Sequence, residues 1–80
     1  MFLNTAIKNR INELCIQRKI TINALCNICG ITQSTLANIN SRPHSSMTIL
    51  TIMRICRGLN ISLDYFFNSP LFNIENLEDD

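Results

Sequence analysis

The stretch from Thr21 to Ser41 constrains the fold more than any other part of the sequence. It contains two short runs of apolar residues at helical spacing, separated by Gly30. A glycine just past a helix end can adopt the left-handed conformation that closes the last turn without a steric cost. Ile31 and Thr32 follow, and the hydroxyl of Thr32 can cap a second helix. The pattern predicts two helices that meet at a steep angle across a short turn.

Seven residues of this stretch occupy positions where helix-turn-helix proteins carry leucine, alanine, a β-branched residue, glycine and three further apolar residues. They are Leu25, Cys26, Cys29, Gly30, Ile31, Leu36 and Ile39. With this spacing the stretch resembles the helix-turn-helix of the phage repressor and Cro-type transcriptional regulators, the XRE family. The segments 10–14, 47–52 and 58–67 resemble the family's first, fourth and fifth helices. The resemblance covers about residues 4–68 and implies a five-helix, lambda-repressor-like DNA-binding domain with the helix-turn-helix at helices 2 and 3.

The spacing of apolar residues along the whole chain predicts five helices and no strand. The predicted helices span about residues 6–19, 22–29, 33–40, 49–57 and 63–67. Residues that can cap a helix N-terminus precede all five, namely Asn4 or Thr5, Thr21, Thr32, Thr48 and Ser62. Gly58 is expected to end the fourth helix, as Gly30 ends the second.

The predicted core consists of one face of each longer helix. On the first helix this face is Ile7, Ile11, Leu14 and Cys15, and on the fourth it is Ile49, Ile52, Ile55 and Cys56. We therefore expect an all-α domain over residues 1–68, followed by an acidic C-terminal tail over residues 69–80. The scattered apolar residues of the tail leave open whether it docks on the domain or frays.

Composition and charge limit the possible classes of protein. A chain of 80 residues forms one domain, and 46% apolar with 16% charged residues excludes a wholly disordered chain. No apolar run approaches the roughly 18–20 residues of a membrane span, and no signal peptide is recognisable, so we expect a cytoplasmic protein without membrane contact. Residues 1–67 carry seven basic and two acidic side chains, whereas residues 68–80 carry four acidic and no basic ones. A basic body suits a polyanion such as DNA, although an ordinary solvated surface can have the same charge.

Four cysteines occur, and each falls at an apolar or small-residue position of a predicted helix. They are Cys15, Cys26, Cys29 and Cys56. Free cysteine packs as a small hydrophobic residue, so we expect four unbridged core thiols, no metal and no cofactor. The spacing of Cys26 and Cys29, together with His44, also fits a zinc or redox site, which stays open as a weaker alternative.

The segment 33–40 has an outward face that is uncharged and rich in amide and hydroxyl groups. Leu36 and Ile39 are expected to face the core, which leaves Gln33, Ser34, Ala37, Asn38 and Ser41 outside. Glutamine, asparagine and serine can hydrogen-bond to base edges in the major groove, whereas a merely solvated helix usually carries lysine and glutamate. By resemblance to the family, the base-contacting residues are Gln33, Ser34, Thr35 and Asn38. We refer to residues 33–40 as the predicted recognition helix. The alternative interpretation is an ordinary polar surface helix.

Phosphate contacts are expected on both sides of the predicted recognition helix. The candidates are Thr21, Arg42, His44 and Ser45. Thr21 begins a helix, where free backbone N–H groups attract phosphate, and the guanidinium of Arg42 matches phosphate geometry. The sequence departs from the family pattern at three positions, since Ile22 replaces a glutamine, Asn40 replaces an acid and Arg42 replaces a glycine. The family's acid pairs with the arginine of the first helix, so Arg10 is expected to bond Asn40 or to reach solvent.

The main interpretation is a sequence-specific DNA-binding transcriptional regulator, a repressor that binds double-stranded DNA as a homodimer. No catalytic constellation is recognisable, so we do not expect an enzyme. The expected dimer contact consists of Leu63, Phe67, Leu71 and Phe72. The alternative is an antitoxin-type module that uses the same fold to bind a protein partner. Its apolar contact surface would consist of Tyr65, Phe66, Phe67, Leu71 and Phe72.

Overall fold

The computed structural model describes residues 1–34 and 48–78, and the regular structure within them is helical. It comprises α1 (Leu3–Arg18), α2 (Ile22–Cys29), α3 (Ile49–Leu59) and α4 (Leu63–Phe67), followed by two 3-10 turns, Pro70–Phe72 and Ile74–Asn76. An isolated parallel bridge joins Phe2 to Glu78, and no strand occurs in the described ranges. The all-α prediction is confirmed for this part of the chain. The predicted recognition helix lies outside it, except for Gln33 and Ser34.

Three of the predicted N-caps are present, each one residue before its helix. The hydroxyl oxygen of Thr21 accepts a hydrogen bond from the Ala24 N–H at 3.1 Å. Thr48 does the same for the Thr51 N–H at 3.3 Å, and Ser62 for the Tyr65 N–H at 3.0 Å. These bonds satisfy N–H groups that have no partner inside the helix, so they determine where α2, α3 and α4 begin.

The prediction that Asn4 or Thr5 caps the first helix is wrong. Helix α1 begins at Leu3 with Phe2 in the extended N-cap position, and Asn4 is buried inside the first turn. The carbonyl of Phe2 accepts from the Ala6 N–H at 3.1 Å, which closes that turn. The chain before it is held extended by pairing with the C-terminal segment, a contact that local sequence does not reveal.

The prediction that Gly58 ends the fourth helix is also wrong. Helix α3 continues to Leu59, and Asn60 takes the left-handed conformation at its end, with φ of 57°. Gly58 instead allows α2 to approach α3 closely. A Cβ at this position would lie 2.5 Å from Sγ and 3.0 Å from Cα of Cys29. The glycine is required by helix packing rather than by helix termination.

The hydrophobic core is built from α1, α2, α3 and the single buried ring of α4. Its members are Ile7, Ile11, Leu14, Cys15, Leu25, Cys26, Ile52, Ile55, Cys56, Leu59 and Phe66. The predicted face of α1 is buried in full. The prediction that Ile49 lies in the core is wrong, because it is the first residue of α3 and is 61% exposed.

Arg10 is buried, with 6% of its surface exposed, and it joins α1 to the end of α4. Its Nε donates to the carbonyl oxygen of Phe66 at 2.7 Å, and its Nη2 donates to that of Tyr65 at 2.8 Å. Nη1 lies 3.4 Å from Oε1 of Glu13, and the guanidinium stands 5.4 Å from the centre of the Tyr65 ring. The expectation that Arg10 reaches solvent is therefore wrong, and the alternative partner, Asn40, lies outside the described residues.

The segment after α4 folds back over the start of α1. The ring of Phe72 packs against Phe67 with centroids 5.0 Å apart and against Phe66 at 6.2 Å. The Glu78 N–H donates to the Met1 carbonyl at 2.9 Å, and the Met1 amine donates to the Asn76 carbonyl at 3.0 Å. Of the two outcomes left open by the sequence, docking is the one found over residues 69–78.

We expect Arg10→Met to lower the free energy of unfolding by about 2–4 kcal/mol, because two charge-assisted hydrogen bonds to the end of α4 are lost. The Tyr65 carbonyl keeps the Asn68 N–H as a donor, whereas the Phe66 carbonyl loses the guanidinium. Lys8→Met is the matched control, since Lys8 is exposed on the same helix, and it is expected to change stability by no more than about 0.5 kcal/mol. Urea denaturation followed by circular dichroism measures both variants. Equal effects would show that the buried guanidinium does not hold α4 in place.

We expect Gly58→Ala to destabilise the protein by about 1–3 kcal/mol, although alanine normally favours a helix interior. The added methyl group would displace Cys29 and separate α2 from α3. Cys29→Ala removes the sulfur atom, so the double variant is expected to lose less stability than the two single variants combined. Additive losses would mean that the close approach of Cys29 is not the reason for the glycine.

Candidate nucleic-acid interface

Gly30 ends α2 in the way that the sequence predicts. It has φ of 68° and ψ of 34°, and its N–H donates to the Cys26 carbonyl. The Ile31 N–H donates to the same carbonyl at 3.1 Å, and the Ile31 side chain packs against the core. Among the described residues, the two chain neighbours aside, no atom lies within 4 Å of the position that a Cβ at Gly30 would occupy. The glycine is therefore needed for its positive φ. After Ile31 the chain is exposed from Thr32 to Ser34.

Gln33 and Ser34 follow this turn and are exposed in a helical conformation. The hydroxyl oxygens of Thr32 and Ser34 lie 3.0 Å apart and share a hydrogen bond. Two of the four predicted base-contacting residues are therefore accessible at the start of the predicted recognition helix. The other two, Thr35 and Asn38, lie outside the described residues.

Thr21 occupies the start of α2, and its exposed side chain leaves room for a phosphate. Its hydroxyl oxygen accepts from the Ala24 N–H, so the hydroxyl proton remains free to donate to an anion. The N–H groups of Ile22 and Asn23 belong to the first turn and have no acceptor within the helix. The remaining phosphate candidates, Arg42, His44 and Ser45, lie outside the described residues.

The stretch of sequence that contains α2 and α3 carries charge of one sign. No acidic residue occurs in the sequence between Glu13 and Asp64, a run of fifty residues that contains five basic side chains. Arg54 and Arg57 are exposed on α3, and they belong to no predicted site. Their spacing of three residues on one helix face, together with the run without acids, is the signal that could have identified them.

All four cysteines are free thiols that line the space between α1, α2 and α3. Burial raises the pKa of each thiol, and for Cys29 the neighbouring thiols raise the pKa further. The Sγ of Cys29 lies 3.6 Å from the Ile55 carbonyl oxygen. These thiols are therefore neutral at neutral pH and fill the core. In the two described ranges no three histidine, cysteine or acidic side chains are placed to hold a metal ion.

The residues of the expected dimer contact lie together around α4 and the first 3-10 turn. Leu63 is 39% exposed, while Phe67, Leu71 and Phe72 are half-buried. Phe67 and Phe72 pack edge to face against each other and against the core, so only their outer edges face solvent. Tyr65 is exposed beside them.

No helix in the described part of the chain could cross a membrane.

Comparison with known proteins places this arrangement in a family. The family model of the Cro/C1-type HTH (helix-turn-helix) DNA-binding domain matches residues 10–67. The solved structure titled "Crystal structure of the prophage Lp1 protein 11" is similar, with a TM-score of 0.80 and 29% sequence identity, over 92% of this chain and 100% of that chain. No curated protein matches the chain. Because the family model covers more than half of the residues, the chain belongs to the Cro/C1-type helix-turn-helix DNA-binding family.

Proposed function

We propose that this protein is a sequence-specific transcriptional repressor that binds DNA as a homodimer and reads the major groove with residues 33–40. The observation that carries the proposal is the left-handed Gly30 turn, which is followed at once by the exposed, uncharged Gln33 and Ser34. In this proposal α2 and the predicted recognition helix form the helix-turn-helix. With the predicted recognition helix included, the proposed domain has five helices.

Base readout is assigned to Gln33, Ser34, Thr35 and Asn38. When a helix-turn-helix binds DNA, the N-terminal residues of its recognition helix contact base edges in the major groove. Gln33 and Ser34 occupy that end of the predicted recognition helix. Glutamine and asparagine can each form a bidentate pair with adenine, while serine can donate or accept. The absence of charge from Gln33 and Ser34 supports readout of bases over contact with the phosphate backbone.

Phosphate contact is assigned to Thr21, Arg42, His44 and Ser45. Thr21 supplies a hydroxyl donor and the free N–H groups of the first turn of α2. The fifty residues without an acid provide a basic background that attracts the duplex from a distance. Contacts of this kind fix the position of the protein on DNA and carry no sequence information.

The homodimer contact is assigned to Leu63, Phe67, Leu71 and Phe72. A single domain of this size covers only a few base pairs, and two-fold pairing on adjacent half-sites adds the missing affinity and specificity. The exposed Leu63 and the outer edges of the aromatic rings supply an apolar surface for such a contact. The exposed Tyr65 beside them favours one other candidate function, an antitoxin-type module whose C-terminal surface binds a different protein.

We expect Gln33→Ala to weaken binding to the cognate site by about 1–3 kcal/mol, to relax preference at one base position and to leave nonspecific binding nearly unchanged. Arg42→Ala is expected to weaken cognate and random DNA alike, because it removes a phosphate contact. Asn27→Ala, which alters an exposed amide on α2, is the control. Fluorescence anisotropy with cognate and scrambled duplexes at several salt concentrations separates these effects. If Gln33→Ala lowers both affinities equally, the segment 33–40 does not read sequence.

We expect Leu63→Glu to dissociate the homodimer, because it places a charge in the proposed apolar contact. Ile16→Glu is the matched control, since Ile16 is exposed on α1 and lies outside that contact. Sedimentation velocity at micromolar concentration, with and without cognate DNA, measures the mass of each variant. A wild-type protein that remains monomeric in both states would refute the dimer and favour the partner-binding alternative.

A further inference from the structure

A recess of about 460 Å³ opens between the end of α2 and the outward face of α3. It is lined by Ile28, Cys29, Gly30, Arg54, Arg57 and Gly58. Ile28 is 53% exposed and provides an apolar wall. Gly58 has no side chain to fill the floor, where α3 approaches Cys29. The recess is large enough for one branched apolar side chain and an adjacent charged group.

The recess is positively charged. Arg54 and Arg57 are exposed on one face of α3. Within residues 1–34 and 48–78, neither guanidinium is paired with a carboxylate, and Arg57 has only the weak acceptor Sδ of Met53 at 3.9 Å. The thiol of Cys29 adds no negative charge, because burial raises its pKa. Two unpaired guanidinium groups beside an apolar wall are suited to a carboxylate that follows an apolar side chain.

The same chain contains a segment with this chemistry at its C-terminal end. Ile74 is 83% exposed, more than any other large apolar side chain of the described residues. It is followed by Glu75, and both lie in the second 3-10 turn, with Glu78 shortly after it. Glu75 and Glu78 are exposed, and residues 68–80 contain no basic side chain. Oε1 of Glu78 lies 3.5 Å from the Met1 amine, whereas Glu75 has no such ion pair within the described residues. An exposed isoleucine beside exposed carboxylates is complementary to the recess in both polarity and charge.

This segment is held far from the recess of its own molecule. It is tied to the start of α1, where the Glu78 N–H donates to the Met1 carbonyl at 2.9 Å. The recess adjoins the other end of α1, where Nη2 of Arg18 donates to the Leu59 carbonyl at 2.6 Å, next to Gly58. The 16 residues of α1 separate the two ends by about 24 Å. The acidic segment of one molecule can therefore reach the recess of another but not its own.

We propose that residues 74–78 of one copy bind in the recess of a second copy, with Ile74 against Ile28 and the Glu75 carboxylate between Arg54 and Arg57. The two surfaces differ, so the contact is heterologous and joins copies head to tail. None of the residues that line the recess belongs to the proposed dimer contact, although Ile74 follows Phe72 of that contact by two residues. The head-to-tail contact does not depend on base readout. Copies bound side by side on DNA are thereby linked, and salt weakens the link.

DNA phosphate is the competing occupant of the recess. The proposed phosphate contact of α2 lies at Thr21, at the opposite end of this eight-residue helix and about 12 Å away. The exposed side chain of Ile28 is complementary in polarity to an apolar partner, whereas a phosphodiester offers it no apolar surface. An apolar surface combined with arginine is typical of the centre of protein–protein contacts. A second copy of the chain therefore fits the recess better than the DNA backbone does.

Charge reversal in the Leu63→Glu background tests the contact, because the other proposed association surface is then disabled. We expect Arg57→Glu and Glu75→Arg each to lower the head-to-tail association constant at least about tenfold. The variant that carries both reversals is expected to recover most of the loss. Lys8→Glu is the matched control, since it makes the same change in net charge at an exposed position outside the recess. Sedimentation velocity at about 50 mM and about 500 mM salt gives the association constants.

Three results would overturn the proposal. The first is a doubly reversed variant that associates as weakly as the single variants. The second is an Arg57→Glu effect no larger than that of Lys8→Glu. The third is an Arg57→Glu variant that loses affinity for random DNA while its self-association is unchanged, which would assign the recess to phosphate. None of these results bears on Gln33 or on Leu63, so the proposed function is tested separately.

Discussion

The buried guanidinium of Arg10 is the contact on which the rest of the C-terminal half depends. Helix α4 has only five residues, too few to be stable alone, and one fully buried ring. Arg10 donates to the carbonyls of Tyr65 and Phe66, so the last turn of α4 is fixed to the middle of α1. Phe67 and Phe72 then pack on Phe66, and the chain returns to pair with Met1 and Phe2. A single long polar side chain thus organises a region with little apolar area of its own.

The ends of the helices were predictable from sequence where the controlling interaction is local. Thr21, Thr48 and Ser62 cap the helices that follow them, and Gly30 supplies a left-handed residue, because each needs only neighbours within about four positions. The start of α1 was not predictable in this way, since it depends on pairing between residues 2 and 78. The end of α3 was not predictable for a similar reason. Gly58 packs against Cys29, which is distant in the sequence, and does not end the helix.

Some features of the candidate interface could be predicted from the sequence, and others could not. The uncharged face at Gln33 and Ser34 could be read from residue types, and the structure places both on the surface after the Gly30 turn. The partner of Arg10 could not be read, because a backbone carbonyl leaves no signature in the sequence. Arg54 and Arg57 have a visible spacing, but the recess beside them depends on how α2 and α3 approach each other. A recess between two helices can be recognised only once their packing is known.

The close contact between Gly58 and Cys29 also gives residue 58 control over the orientation of α2. Helix α2 leads directly through Gly30 into Gln33, so the spacing of the two helices sets the angle at which the following residues leave the core. A bulkier residue at position 58 would rotate this exit without altering any group that faces DNA. In the proposed mode of binding, operator preference can thus be shifted by a side chain on the far side of α2. In that mode, the absence of a side chain at Gly58 sets how closely α3 approaches Cys29 and so the orientation of the proposed reading surface.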